Sequence, residues 1–278
     1  MSLEVALLVL LGAALHAVWN IAVKSGTDKM LDSALVLFGS MVILPPALVF
    51  LPLPDAASLP FLAVSVAIHV VYFILVALAY QHGELTVVYP LMRGAAPAVT
   101  TLLAVIFFNE LPPGMAWMGI LFVSAGILSL ALGGCALHGR RGITFALANA
   151  GVIVIYTLVD GQGARLSGNA LAYTGWMMLL TALCVVGWIL QRNGTQATRH
   201  WRRNWMKGLV GGCCTVGSYS LALWAMTLAP IGLVAALRET SIVFGTLLGI
   251  GVLKERPTRK RLLAILVVAV GAVLIKIS

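Results

Sequence analysis

YPLMRGAAPAVTTLLAVIFFNELP (Tyr89–Pro112) and VAALRETSIVFGTLLGIGVLKERP (Val234–Pro257) are two apolar stretches of one design. Arg93, Glu110 and Pro112 in the first stand 145 residues before Arg238, Glu255 and Pro257 in the second. GILFVSAGILSLAL from Gly119 and AILVVAVGAVLIKI from Ala264 follow at the same offset and place Gly126 opposite Gly271. A unit of this length written twice in an apolar chain points to a membrane protein built from two like halves.

Composition sets the class. Of 278 residues 61% are hydrophobic and only 10% charged, too little polar surface to coat a soluble globule. Stretches near the roughly 20 residues a helix needs to cross about 30 Å of hydrocarbon occur ten times. They lie near 3–23, 31–51, 60–81, 85–108, 114–133, 142–159, 169–190, 206–226, 231–253 and 261–277. They are continuous and apolar all round, where barrel strands would alternate. The expected fold is an all-α polytopic membrane protein of ten transmembrane helices, the first a retained helix because no basic leader precedes it.

Five crossings per half is an odd number, so the second copy enters the membrane upside down. The halves are expected at 1–134 and 142–278, joined by a loop at 135–141, as inverted five-helix repeats about a pseudo-two-fold axis in the membrane plane.

The four cysteines (Cys135, Cys184, Cys213, Cys214) have no metal-ligand spacing and read as packing residues. No phosphate loop, zinc motif or nucleophile elbow appears, so no metal and no cofactor are expected.

The net charge of +9 suggests nucleic acid only until the basic residues are placed. Lys24, Lys29, Arg140, Arg141, Arg192, Arg199, Arg202, Arg203, Lys207, Lys254, Arg256, Arg259, Lys260 and Arg261 all fall at one end of the spans. Arg165 and Lys276 fall at the end carrying both termini. Basic flanks stay cytoplasmic, which predicts a multi-pass protein of the cytoplasmic (inner) membrane with both termini on the non-cytoplasmic side. HGRR (138–141) and RHWRRNW (199–205) then serve topology and anionic headgroups, with the lipid bilayer as partner and no nucleic acid.

On these features the chain resembles the drug/metabolite transporter superfamily, and within it the EamA-type proteins of ten helices in two five-helix halves. The resemblance spans the chain and rests on the ten spans, the paired fourth and ninth helices and the Glu-x-Pro junctions at Glu110–Pro112 and Glu255–Pro257. Through YPLMRG and YTLVDGQGARLSG (156–168) it also looks like a branch associated with phosphonate utilisation. The resemblance implies a transporter. Many relatives are described with cytoplasmic termini, the reverse of what the charges here predict.

Arg93 and Arg238 are the two basic residues without a topological explanation. Each lies roughly 12–14 Å into its span at 1.5 Å per residue. A central arginine costs roughly 2.5–3.5 kcal/mol on insertion scales, so each needs a partner. Two readings follow. Either the pair binds an anion in a shared midplane cavity, through the planar fork that suits carboxylate, phosphate or phosphonate. Or each forms an internal ion pair, with Glu239, Asp160 or Glu84 as partner.

Around them, Tyr89 shares a face with Arg93 and Pro97, and Ser241 with Arg238, Gly245 and Gly249. The proline is expected to kink the fourth helix and free the Arg93 carbonyl, and Gly245 and Gly249 to pack closely on another helix. Trp19 and Asn20 with His16 in the first span, and Tyr156 with Asn149 and Asp160 in the sixth, offer further polar faces to the cavity. His69, Tyr72, Tyr80, Tyr219 and Trp224 add an aromatic surface that suits an amine. The substrate-binding set is thus Arg93, Arg238, Tyr89, Trp19, Asn20, Tyr156 and Ser241. Proton coupling needs a titratable group, for which Asp160, Glu239 and His16 are candidates. Glu110 and Glu255 read as helix-end residues, or as gates.

The expected function is secondary transport of a small anionic or zwitterionic metabolite, such as an amino acid, phosphonate or organophosphate, by alternating access in a monomer or homodimer. The alternatives are a multidrug or cation exporter of the same fold, a non-transporting scaffold or regulatory protein, and an intramembrane enzyme. Enzymatic activity is not expected.

Overall fold

In a computed structural model, all residues are described except Thr27, Glu84, 132–139, Leu253 and Glu255, with the side chains of Leu85 and Thr86 also left aside. Cys135, His138 and the sequence readings of Glu84 and Glu255 lie outside the described residues.

The described residues form helices and no strands. In order they are α1 (Leu3–Lys24), α2 (Lys29–Val49), a short 3-10 turn (Ala56–Ser58), α3 (Leu59–His82), α4 (Leu85–Gly94), α5 (Ala96–Phe108), α6 (Gly114–Ala131), α7 (Arg140–Leu166), α8 (Ala170–Arg203), α9 (Trp205–Leu228), α10 (Ile231–Arg238), α11 (Ser241–Gly251) and α12 (Arg259–Ile277). Nine helical spans among them are long and apolar enough to cross a membrane, counting α4–α5 and α10–α11 as one each. α12 makes the tenth; its charges sit at its ends, in Arg259, Lys260, Arg261 and Lys276, and 262–275 are uncharged. Phe107, Leu121, Leu263 and Leu266 stand exposed on the outer surface, as lipid-facing side chains do.

Local chemistry starts the helices where the sequence changes character. Ser2, Asp28, Asn169 and Thr258 cap α1, α2, α8 and α12, each accepting a first-turn amide on its side chain. Asn109 ends α5 in the left-handed conformation, at φ 59°.

The interruption expected in the fourth helix is present, and two other boundaries depart from expectation. The fourth crossing is broken: α4 ends at Gly94 and α5 begins at Ala96 with Pro97 in its first turn, where a missing amide is harmless. The ninth breaks at the matching place without a proline, because the Thr240 hydroxyl takes the Leu237 carbonyl at 2.7 Å. The eighth helix runs on through the polar stretch after Leu190, bending at Asn193. It does so because Ala197 and Trp201, one turn apart, bury against α2: the Trp201 indole donates to the Leu31 carbonyl at 3.2 Å and His200 Nε2 lies 3.0 Å from Asp32 Oδ1.

The helices pack in reciprocal pairs across the chain: α1 on α9 and α3 on α7, α2 on α8, α6 on α12, and α5 on α10. Glycine permits the closest seams. A Cβ added to Gly119 in α6 would sit 2.7 Å from the Gly271 carbonyl in α12, and one added to Gly271 2.6 Å from that of Gly119. Gly245 makes no such approach, its nearest neighbour being Ala17 at 3.9 Å.

Candidate functional site

Between these helices lies a cavity of about 520 Å³. Its inner wall is built from α1 (His16, Trp19, Asn20), α3 (His69, Tyr72), α4 (Tyr89, Arg93), α7 (Tyr156), α9 (Ser218, Tyr219) and α10 (Arg238). Towards one end the lining passes to Val23, Asp28, Lys29 and Gln81, at the C-terminus of α1, the start of α2 and the end of α3. That is the end where the basic clusters gather, and there the cavity opens.

The opposite end is tied shut. Arg165, at the end of α7, pairs through Nη1 with Glu110, just beyond α5. It also donates through Nε to the Met226 carbonyl at 2.7 Å and through Nη2 to that of Ala229 at 3.1 Å. The second Glu110 oxygen accepts the Ile231 amide at 2.7 Å. One arginine and one carboxylate thus bind the ends of α5, α7 and α9 to the start of α10.

The two intramembrane arginines have different surroundings. Arg93, 5% exposed, donates Nε to Glu239 Oε2 at 3.0 Å and Nη2 to Glu239 Oε1 at 2.6 Å, a bidentate pair that neutralises both. The Arg238 side chain, in a residue 8% exposed, has no hydrogen bond or ion pair among the described residues; its guanidinium carbon lies 5.0 Å from the Tyr219 ring centroid. The neighbours in sequence account for the difference. At the 145-residue offset Glu239 corresponds to Gly94, so a carboxylate follows Arg238 and none follows Arg93.

Asp160 is wholly buried and stands behind the wall. It accepts the Tyr173 hydroxyl on Oδ1 at 3.3 Å and the Tyr219 hydroxyl on Oδ2, with His69 Nε2 at 3.8 Å. His16 Nδ1 accepts the Trp19 indole at 3.3 Å, and the Asn20 amide donates to the His16 carbonyl at 2.8 Å. Tyr156 joins His69, Tyr72 and Tyr219 in one aromatic cluster, its ring 4.6 Å from that of His69.

The cavity therefore brings together Arg93, Arg238, Tyr89, Trp19, Asn20, Tyr156 and His16. Ser241 is buried in the first turn of α11 and does not line it. Glu239 is occupied by Arg93. Asn149 donates to the Met92 sulfur at 3.1 Å, away from the cavity. Sequence reasoning placed His69 only on an aromatic surface, left out Tyr173, and counted Arg165 only as a loop charge. The offset alignment of Glu239 with Gly94 was the available signal that one arginine lacks a carboxylate.

Residues 140–277 match the family model of the EamA-like transporter family. The chain belongs to that family. As an EamA-like protein it is a multi-pass membrane transporter of the drug/metabolite type. A protein of solved crystal structure aligns with 100% of this chain and 98% of its own, with a TM-score of 0.76 and 15% sequence identity. At that identity the likeness is one of fold. No curated protein matches the chain.

Proposed function

We propose that this EamA-like transporter carries a small anionic or zwitterionic metabolite, of amino acid, phosphonate or organophosphate type, and binds its anionic group at Arg238. The observation that carries the reading is the contrast between the arginines: Arg93 is neutralised by Glu239, whereas Arg238 faces a cavity of metabolite size without a carboxylate. A buried guanidinium whose N–H groups have no acceptor is costly, and a bound anion supplies the acceptors. Tyr72, Tyr156 and Trp19, across the same cavity, offer ring faces to an amine.

Alternating access fits a cavity open at the basic end and tied at the other by Glu110 and Arg165. In this reading residues 1–134 and 142–278 are inverted halves that rock about the midplane, with broken helices α4–α5 and α10–α11 meeting at the site. The basic end is cytoplasmic and both termini lie outside. A cation exporter of the same fold is disfavoured, because its cargo would meet Arg238.

The test is a ligand-stabilisation screen of purified protein with amino acids, phosphonates, phosphate esters and organic cations. A ligand that binds only the folded protein raises its unfolding temperature in proportion to occupancy. Anionic and zwitterionic compounds are expected to stabilise; stabilisation by cations alone would overturn the reading.

A further inference from the structure

His69 and Asp160 lie one residue behind Arg238, and anion binding alone gives them no role. His69 Nδ1 is 3.0 Å from the Ser65 carbonyl oxygen and 3.2 Å from the Ser65 hydroxyl, and a proton on Nδ1 suits the carbonyl, which can only accept. With the proton on Nδ1, Nε2 is an unprotonated acceptor, 3.8 Å from Asp160 Oδ2, also an acceptor. A single proton on Nε2 turns this opposition of lone pairs into an imidazolium–carboxylate pair. The same Asp160 oxygen accepts the Tyr219 hydroxyl, and the Tyr219 ring faces the Arg238 guanidinium at 5.0 Å. One side chain therefore touches both charged sites.

We infer that His69 and Asp160 form a proton site linked through Tyr219 to the anion site at Arg238, so that one proton and one anion are carried together. This rests on the reading of Arg238 as the anion ligand. Charge counting gives the coupling. Around the pair stand Tyr72 from α3 itself, Tyr173 from α8, Tyr219 from α9 and Tyr156 from α7; Arg93 and Tyr89 from α4, Arg238 from α10 and His16 from α1 line the same cavity, Glu239 pairs with Arg93, and Asp28 and Lys29 stand at the cavity mouth. Arg93 and Glu239 cancel. With His69 neutral, Arg238 and Asp160 also cancel, and the empty site has no net charge. A monoanion alone leaves the site at minus one, and a proton alone leaves it at plus one. Both together restore neutrality. Burying a net charge in the bundle is unfavourable, so the empty and doubly loaded forms are the ones that reorient across the membrane. The proton is taken from solvent onto His69 Nε2 and returned to solvent on the far side, with no covalent step.

The experiment is calorimetric titration of the purified full-length protein with methanesulfonate, a monoanion throughout the range used, in buffers of different ionisation enthalpy at about pH 6 and about pH 8. The wild type is expected to take up protons on binding and to bind more tightly at the lower pH, by at most about tenfold per pH unit. H69Q and D160N are expected to bind without proton uptake and with the same affinity at both values. H69Q leaves Asp160 its two tyrosine donors, so it decides the matter even where D160N fails to fold. Proton uptake retained in H69Q, or absent in the wild type, overturns the linkage. Binding unchanged in R238Q overturns the anion site instead, and the two failures are separately visible.

Discussion

Arg93 of α4 is joined to Glu239, in the break between α10 and α11, by hydrogen bonds of 2.6 and 3.0 Å, and Glu239 follows directly on Arg238. Neighbouring residues on a helix point about 100° apart, so Glu239 serves Arg93 and not its own neighbour. Removing the carboxylate leaves a buried, uncompensated guanidinium. E239Q is expected to destabilise the folded protein by about 3–5 kcal/mol, and R93Q/E239Q by less than the sum of the single changes. Unfolding of the purified variants in detergent, compared as a double-mutant cycle, measures both.

The tie between Glu110 and Arg165 gives a prediction about access. R165A removes the three donors that hold Glu110 and the carbonyls of Met226 and Ala229. In a background without native cysteines, a cysteine at Ala229 is expected to react severalfold faster with a membrane-impermeant maleimide when R165A is present. Equal rates would make the tie a packing feature without a gating role.

At the α6–α12 seam the backbones of Gly119 and Gly271 approach too closely for a side chain. G271V is expected to cost about 1–3 kcal/mol by overpacking, while G245A, which has room, costs much less. Thermal unfolding of the two variants compares them directly.

The distribution of lysine and arginine predicts a non-cytoplasmic C-terminus. A phosphatase fused after Ser278 is expected to be active in intact cells and a fluorescent protein fused there to be dark. The reverse result would invert the orientation and, with it, the side on which the cavity opens.

Much of this architecture could be read from the chain because a bilayer demands long apolar helices, and such helices declare themselves by composition. The paired arginines were legible for the same reason, since a charge inside a span needs a partner. Elements held by tertiary contact were not. The polar arm of α8 is helical because Trp201 and His200 dock on α2, and no local periodicity announces that. The long α7 continues past residue 159 because Gly161 and Gly163 let Ile231 and Tyr173 pack against it. At the site, residue type suggested which groups carry charge, but pairing depends on helix azimuth. Thus Glu239 was a coupling candidate in sequence and is the partner of Arg93 in space, while His69, read as aromatic surface, stands beside Asp160.

The central claim is that Arg238, and not Arg93, receives the anion. Thermal unfolding of the wild type, R238Q and R93Q/E239Q with and without methanesulfonate tests it most directly. An anion-induced rise in unfolding temperature is expected for the wild type and for R93Q/E239Q, and none for R238Q. A rise that persists in R238Q, or one lost only in R93Q/E239Q, would contradict it.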